Sequence, residues 1–299
     1  MMGIHARLIS GFATFDGTIK MLIGKYLQHR LLGNYEFPYV YNNKGRRIYI
    51  LATGPSLKTD LAELLLTKDF VESDKLCVNF FLNDDVILEV RPRYYCLADS
   101  AFFEESGPNS EKVCELYVRL NGVIDWDMTL FVYISNKEQI DFLKKRVSNP
   151  HVKVVPLTGL MYSGKASGRY ESWKKGESVP SYVNVTLMAE YVALNCGFTE
   201  LYLYGVEHTF FDGLGVDVDN RLFIQDKHFY GSEKRFVSSS NRREWHMKDW
   251  LYDKYLTFRE HELLQGYADY LGATIINCTK NSLIDAYPHL SKIKENKSK

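Results

Sequence analysis

Short apolar runs recur along the chain, and most end at a Gly, Asn, Asp or Pro ahead of a stretch with helical spacing. The first covers 48–52, Ile-Tyr-Ile-Leu-Ala. It is β-branched and aromatic, the composition of a strand buried on both faces of a parallel sheet. Thr53-Gly54-Pro55-Ser56 breaks the run. Leu57, Leu61, Leu64 and Leu65 then share one face of a helix predicted over 57–68, with Ser56 placed to cap it. Further strands are predicted over 75–81, 93–98, 129–134, 151–156, 201–206 and 273–277. Helices are predicted over 110–120, 137–147, 182–194 and 242–271. In the last helix Trp245, Trp250, Tyr255, Leu263 and Leu264 are the expected inward positions. The alternation predicts an α/β fold, a Rossmann-like, doubly wound and mostly parallel sheet with an inserted lid.

Two segments interrupt the rhythm. Residues 161–180 are polar, Gly-rich and basic, and read as a loop long enough to be functional. Residues 209–240 are polar and aromatic, and read as a lid or small subdomain. The expected organisation is an N-terminal helical extension over 1–45, a nucleotide-binding domain over 46–288 with its lid at about 209–240, and a charged tail over 289–299. In the extension, Phe15, Ile19, Leu22 and Tyr26 can share a helical face. Such a face either packs on its own domain, the preferred reading, or lies on an anionic membrane surface.

Polar residues gather at the predicted strand ends. In an open α/β sheet, ligands bind outside the carboxyl ends of the strands, and a helix start favours phosphate. The turn Thr53 to Ser56 is therefore either a phosphate site or an ordinary β–α turn. Asn79 and Asp99 end the next two strands and are expected to face the same crevice; strand-end Asn and Asp also serve as plain turn residues.

Composition narrows the picture. Of 299 residues, 45% are hydrophobic and 25% charged, with 37 basic against 37 acidic side chains, so nothing global points to nucleic acid. The 21 Tyr and 17 Phe fit either a cleft for sugars or bases or a plain aromatic core. Five scattered cysteines without a CxxC pair read as buried free thiols of a reducing cytoplasm. No apolar stretch is long enough for a transmembrane helix. A cytoplasmic location is expected, with a peripheral contact at the inner face of a membrane left open.

The sequence offers several candidate catalytic groups. Asp217-Val218-Asp219 has the form of a metal-binding acidic pair but lies in a loop, which favours a solvated turn. Glu207 and His208 end a strand, either as acid–base groups or as a hydrogen-bonded core pair. His228-Phe229-Tyr230-Gly231 sits in the lid, and His246 follows in an aromatic, basic segment. Histidine is the side chain most easily tuned to take a proton near neutral pH.

The islands ILATGPSL, the strand ending at Asn79, ALNCGFTELYLYGVE and NCTKNSLIDAYP occur in order between Arg46 and Pro288. Together they resemble bacterial sialyltransferases of glycosyltransferase family 42. They equally resemble the wider Rossmann-like group related to archaeal 6-hydroxymethylpterin pyrophosphokinase. The first resemblance implies a metal-independent, inverting transfer of sialic acid from a CMP-activated donor to a glycan hydroxyl, in surface polysaccharide or lipooligosaccharide synthesis. It implies donor contacts at Thr53, Gly54, Pro55, Ser56 and Asn79. Asp99 stands where the family has Asn, and Asn184 and Thr186 partly match its Thr-Ser pair. Glu207, Asn281 and Ser282 complete the expected donor set. The family's lid motif, His-Tyr-x-Gly-His, is met by His228 to Ser232 with Ser in place of the second His. His228 is therefore the expected base, and His246 the alternative. No metal site is expected. The expected partners are a nucleotide-sugar donor and a glycan acceptor, without nucleic acid; self-association is left open. The second resemblance implies a Mg²⁺-dependent pyrophosphokinase using Asp99, Glu207, Asp217 and Asp219. A non-catalytic scaffold in polysaccharide assembly is the third reading.

Overall fold

The computed structural model describes residues 37–290 except 229, 230 and 238–243, together with 19, 21–26, 29, 30 and 33; the side chains of 226–234 are outside the description. Seven strands form one parallel sheet: β1 (Arg47–Leu51), β2 (Asp74–Val78), β3 (Tyr94–Leu97), β4 (Met128–Tyr133), β5 (Val152–Leu157), β6 (Glu200–Tyr204) and β10 (Thr274–Asn277). Their spatial order is β10-β6-β1-β2-β3-β4-β5. The expected Rossmann-like α/β fold is present.

The apolar runs are continuous because both faces of each strand are covered. Along β1, Ile48 and Ile50 enter one core while Tyr49 and Leu51 enter the other. The first core is roofed by α7 (Val185–Asn195) and α8 (Met247–Leu271), the second by α1 (Leu57–Leu64), α2 (Lys68–Glu72), α3 (Ile87–Val90), α4 (Ser110–Gly122) and α5 (Lys137–Arg146). Helix α7 is buried on nearly every side, Asn195 and Glu190 included. The segment before β1 lies along its end. Asn195 Nδ2 donates to the Phe37 carbonyl at 2.7 Å, the Val40 amide to the Asn195 carbonyl at 2.9 Å, and Asn43 Nδ2 to the Cys196 carbonyl at 2.8 Å. Phe37 also meets Phe131 edge to face at 5.2 Å.

Several expectations are corrected. The helix expected over 57–68 ends at Leu64, because Thr67 turns extended and a second helix starts at Lys68. Residues 161–180 are not a loop throughout. They contain α6 (Arg169–Lys174), whose Trp173 is 1% exposed and packs edge to face on Tyr267 at 5.4 Å. In α8, Trp250 and Leu264 point inward as expected, but Tyr255 is exposed. Cys77, Cys96 and Cys196 are buried, whereas Cys114 is exposed on α4. Ile19, Leu22 and Tyr26 are exposed, and Phe15 lies outside the described residues. Among the described residues no helix is long and apolar enough to cross a membrane.

The insertion after β6 is a three-stranded antiparallel sheet: β7 (Leu214–Val216), β8 (Leu222–His228) and β9 (Gly231–Phe236). Leu222, Ile224 and Val237 form a small core of their own against Trp250 of α8.

Candidate active site

The chain leaves β1 toward β2 on one side and returns to β6 on the other, so the order reverses between β1 and β6. Ligands of open α/β sheets bind outside the carboxyl ends of the strands at such a point. A cavity of about 1010 Å³ lies there. The sheet supplies Thr53, Gly54, Pro55 and Asn79, and α7 supplies Asn184 and Thr186. Glu207 and His208 enter from the end of β6, and the inserted sheet and α8 form the opposite wall. A second lobe of about 460 Å³ adjoins it, sharing Asn79, Asn184 and Val185 and adding Asp99, Tyr133 and Tyr182. The turn, Asn79 and Asp99 thus border one composite crevice.

At the turn, Glu207 fills the position that the sequence offers to a phosphate. Its Oε1 accepts the Ser56 amide at 2.7 Å. Ser56 is helical rather than extended, and its side chain makes no capping bond, so the expected Ser56 cap is replaced by a carboxylate from β6. Ser56 Oγ is left buried without a partner. A second anion at about 4 Å from this carboxylate would be repelled by about 4 kcal/mol at an effective dielectric of 20. Close packing fixes the arrangement. A Cβ on Gly54 would stand 1.6 Å from Glu207 Oε2 and 2.4 Å from the Gly205 carbonyl.

Asn79 sits where the two lobes join. Its backbone is left-handed, φ 51°, and its Oδ1 is buried without a partner. Asp99 is exposed and accepts the Ala101 amide at 2.9 Å. Asn184 caps α7 by accepting the Thr186 amide at 2.8 Å. Tyr182 meets Tyr133 edge to face at 5.5 Å; burial raises its hydroxyl pKa well above the ordinary value, and its oxygen has no partner.

On the opposite wall, Lys254 Nζ lies 2.7 Å from Asp253 Oδ2 and over the rings of Phe210 and Trp250, at 4.2 and 4.3 Å. Arg235 lines the same wall, and Trp250 Nε1 is buried without a partner. Not every expected residue reaches the crevice. His246 is exposed and precedes α8, its amide donating to Asp249 Oδ2 at 3.0 Å. Asn281 and Ser282 stand behind the site. Ser282 Oγ donates to the Val206 carbonyl at 2.7 Å, and the Leu283 amide to the Glu207 carbonyl at 2.8 Å. These two bonds hold the chain just after β6 in place, and Asn281 beside them is exposed. Asp217 and Asp219 are tied to Arg221 at 3.0 and 3.2 Å in a turn of the inserted sheet. His228 pairs with Gly231 at the β8–β9 end, and its side chain is outside the described residues. Residues 161–180, expected as a functional loop, supply none of the side chains that line either lobe.

His208 carries the least expected geometry. Its φ is 54°, a left-handed conformation uncommon outside Gly, although His, like Asn and Asp, adopts it more often than most residues. Its Nε2 lies 2.9 Å from His261 Nε2. Burial lowers its pKa from the usual 6.5 to about 2, with His261 and Lys254 acting in the same direction. Sequence reasoning missed Tyr182, Lys254, His261 and Glu190. Tyr182 and Lys254 lie in stretches read only as helix; the single charged residue of a mostly apolar helix, Glu190, is the available signal.

No protein-family model matches the chain, and no curated protein matches it. Among solved structures, a Maf glycosyltransferase from Magnetospirillum magneticum AMB-1 is similar over 92% of this chain, at 15% identity and a TM-score of 0.49. The match spans 38% of that structure's chain.

Proposed function

We propose that the protein is a glycosyltransferase that takes its sugar from a nucleotide-activated donor, CMP-linked by the resemblance of its sequence islands, and passes it with inversion to a glycan hydroxyl. The observation that carries the reading is the composite crevice at the β1–β6 reversal, with Asn79 at the junction of its lobes. Partnerless polar atoms of Ser56, Asn79, Tyr182 and Trp250 border or adjoin it. Buried polar atoms without partners are costly unless something fills the role.

The smaller lobe, with Tyr133 and Tyr182, suits a nucleobase; the larger suits the phosphate and sugar. Because Glu207 occupies the turn amide, the donor phosphate belongs against Lys254 and Arg235 on the opposite wall. The inserted sheet walls the cavity on that side, the place from which a transferase shields its donor from hydrolysis.

Thermal-shift screening against CMP, CDP, UDP, GDP and ATP, with and without Mg²⁺, tests the reading. A ligand at 100 times its Kd stabilises by about 2.7 kcal/mol. A shift with CMP that needs no Mg²⁺ is expected. A Mg²⁺-dependent shift confined to ATP would favour the pyrophosphokinase reading and overturn this one.

A further inference from the structure

Behind His208 runs a buried chain of polar groups that ends far from solvent. His261 Nε2 meets His208 Nε2 at 2.9 Å, and His261 Nδ1 lies 3.0 Å from the Tyr287 hydroxyl and 3.3 Å from Glu190 Oε1. The Tyr287 hydroxyl donates to Glu190 Oε2 at 2.5 Å. His261 and Glu190 are fully buried. The donors assign themselves from the far end. Tyr287 gives its proton to Glu190, so its oxygen accepts from His261 Nδ1–H. His261 Nε2 is then the acceptor, and His208 Nε2 must donate to it. That leaves His208 Nδ1 as the ring nitrogen with a lone pair, and among the described residues the ring's hydrogen bond is the one to His261.

We propose that His208 is the acid–base group of the crevice, working through His261, with Tyr287 and Glu190 as positioning residues. This rests on the transferase reading above. Backbone strain of the kind seen at His208 persists where the surroundings over-determine it, and clusters at functional sites. A lone buried imidazole is a poor base; the relay supplies the basicity that it lacks. As the acceptor oxygen forms its bond to the anomeric carbon, its O–H bond breaks and the proton goes to His208 Nδ1. The proton on His208 Nε2 passes to His261 Nε2. The anomeric carbon–phosphate oxygen bond breaks, and the nucleotide phosphate leaves with the electron pair. His261 ends as an imidazolium facing Glu190, and the buried carboxylate stabilises it as the aspartate of a catalytic triad stabilises its histidine. Glu207, Asp212, Arg235, Asp253 and Lys254 line the same cavity as His208; of these, Lys254, paired with Asp253 at 2.7 Å, opposes a proton on His208 itself and so favours passing it inward.

The variant of choice is His208→Asn, since Asn tolerates a left-handed backbone. Glu190→Gln keeps the shape of the far end and removes its charge. Nucleotide affinity and nucleotide release from CMP-sialic acid are measured for each. His208→Asn is expected to lower kcat by roughly 10²–10⁴-fold with nucleotide affinity unchanged. Glu190→Gln is expected to lower kcat and move the pH–rate profile by about 1–3 units, the shift a neighbouring charge imposes. Unchanged kcat in His208→Asn would overturn the proposal. If the native protein turns over no sugar nucleotide, the transferase reading fails, and histidine ¹⁵N NMR decides the relay alone. The two rings are expected to share one proton and to respond together to Glu190→Gln. Two rings that titrate independently and ignore Glu190→Gln would overturn it.

Discussion

Gly54 gives the sharpest test of how the crevice is built, because two different neighbours forbid a side chain there. A Cβ would stand 1.6 Å from Glu207 Oε2, the end of a side chain, and 2.4 Å from the Gly205 carbonyl, which is backbone of the adjacent strand end. In the native background, Gly54→Ala must displace both. Expelling the carboxylate removes its bond to the Ser56 amide, worth about 1.5–3 kcal/mol for a charged acceptor. Overpacking against the carbonyl adds about 1–3 kcal/mol. The expected total, roughly 2.5–6 kcal/mol, is a large share of the 5–15 kcal/mol that a native protein typically has. Glu207→Ala alone is expected to cost about 1.5–3 kcal/mol. On that background Gly54→Ala meets only the carbonyl, so its further cost is about 1–3 kcal/mol. Urea denaturation of the four proteins gives each figure by linear extrapolation. If Gly54→Ala costs less than about 0.5 kcal/mol once Glu207 is gone, the limit of ordinary surface substitutions, the backbone approach is not what demands glycine.

His208 is held neutral in the folded protein, its pKa lowered to about 2, while the unfolded chain takes a proton near 6.5. Stability should therefore be full above pH 6.5 and fall as pH drops below it, by up to about 1.4 kcal/mol per unit; equal urea midpoints for His208→Asn and the native protein at pH 5.5, after matching at pH 7.5, would refute this. Asn79→Gly keeps the left-handed backbone but removes Oδ1, and should weaken nucleotide binding about tenfold by calorimetry, with a change in Tm of only a few degrees; unchanged affinity would remove Asn79 from the site. Trp173→Ala should cost about 3–5 kcal/mol in urea denaturation, because the ring fills the core; a loss under 1 kcal/mol would return 161–180 to the status of a surface loop.

The strands were legible to within a few residues because burial on both faces demands unbroken apolar runs, and Ile48 to Leu51 shows this residue by residue. The crevice was legible in part for a related reason: Gly54, Asn79 and Asp99 each end such a run. What joins distant parts of the chain could not be read. The partner of the Ser56 amide lies 151 residues further on, at Glu207. His208, His261, Tyr287 and Glu190 come from four separate elements, and no local pattern links them. Residues 161–180 were misread because Gly and Lys outweigh the one signal of burial, Trp173.

Any shortening of the chain, by protease or by design, meets a limit before the first strand. A chain starting at Arg46 would lack Phe37, Val40 and Asn43. Asn195 and Cys196 would lose three hydrogen bonds at the end of α7, and Phe131 would keep Tyr94 but lose the edge-to-face contact with Phe37. The opposite end of α7 carries Asn184 and Thr186 into the crevice. A shortened chain meant to keep α7 and the residues it carries is therefore expected to extend back at least to Phe37.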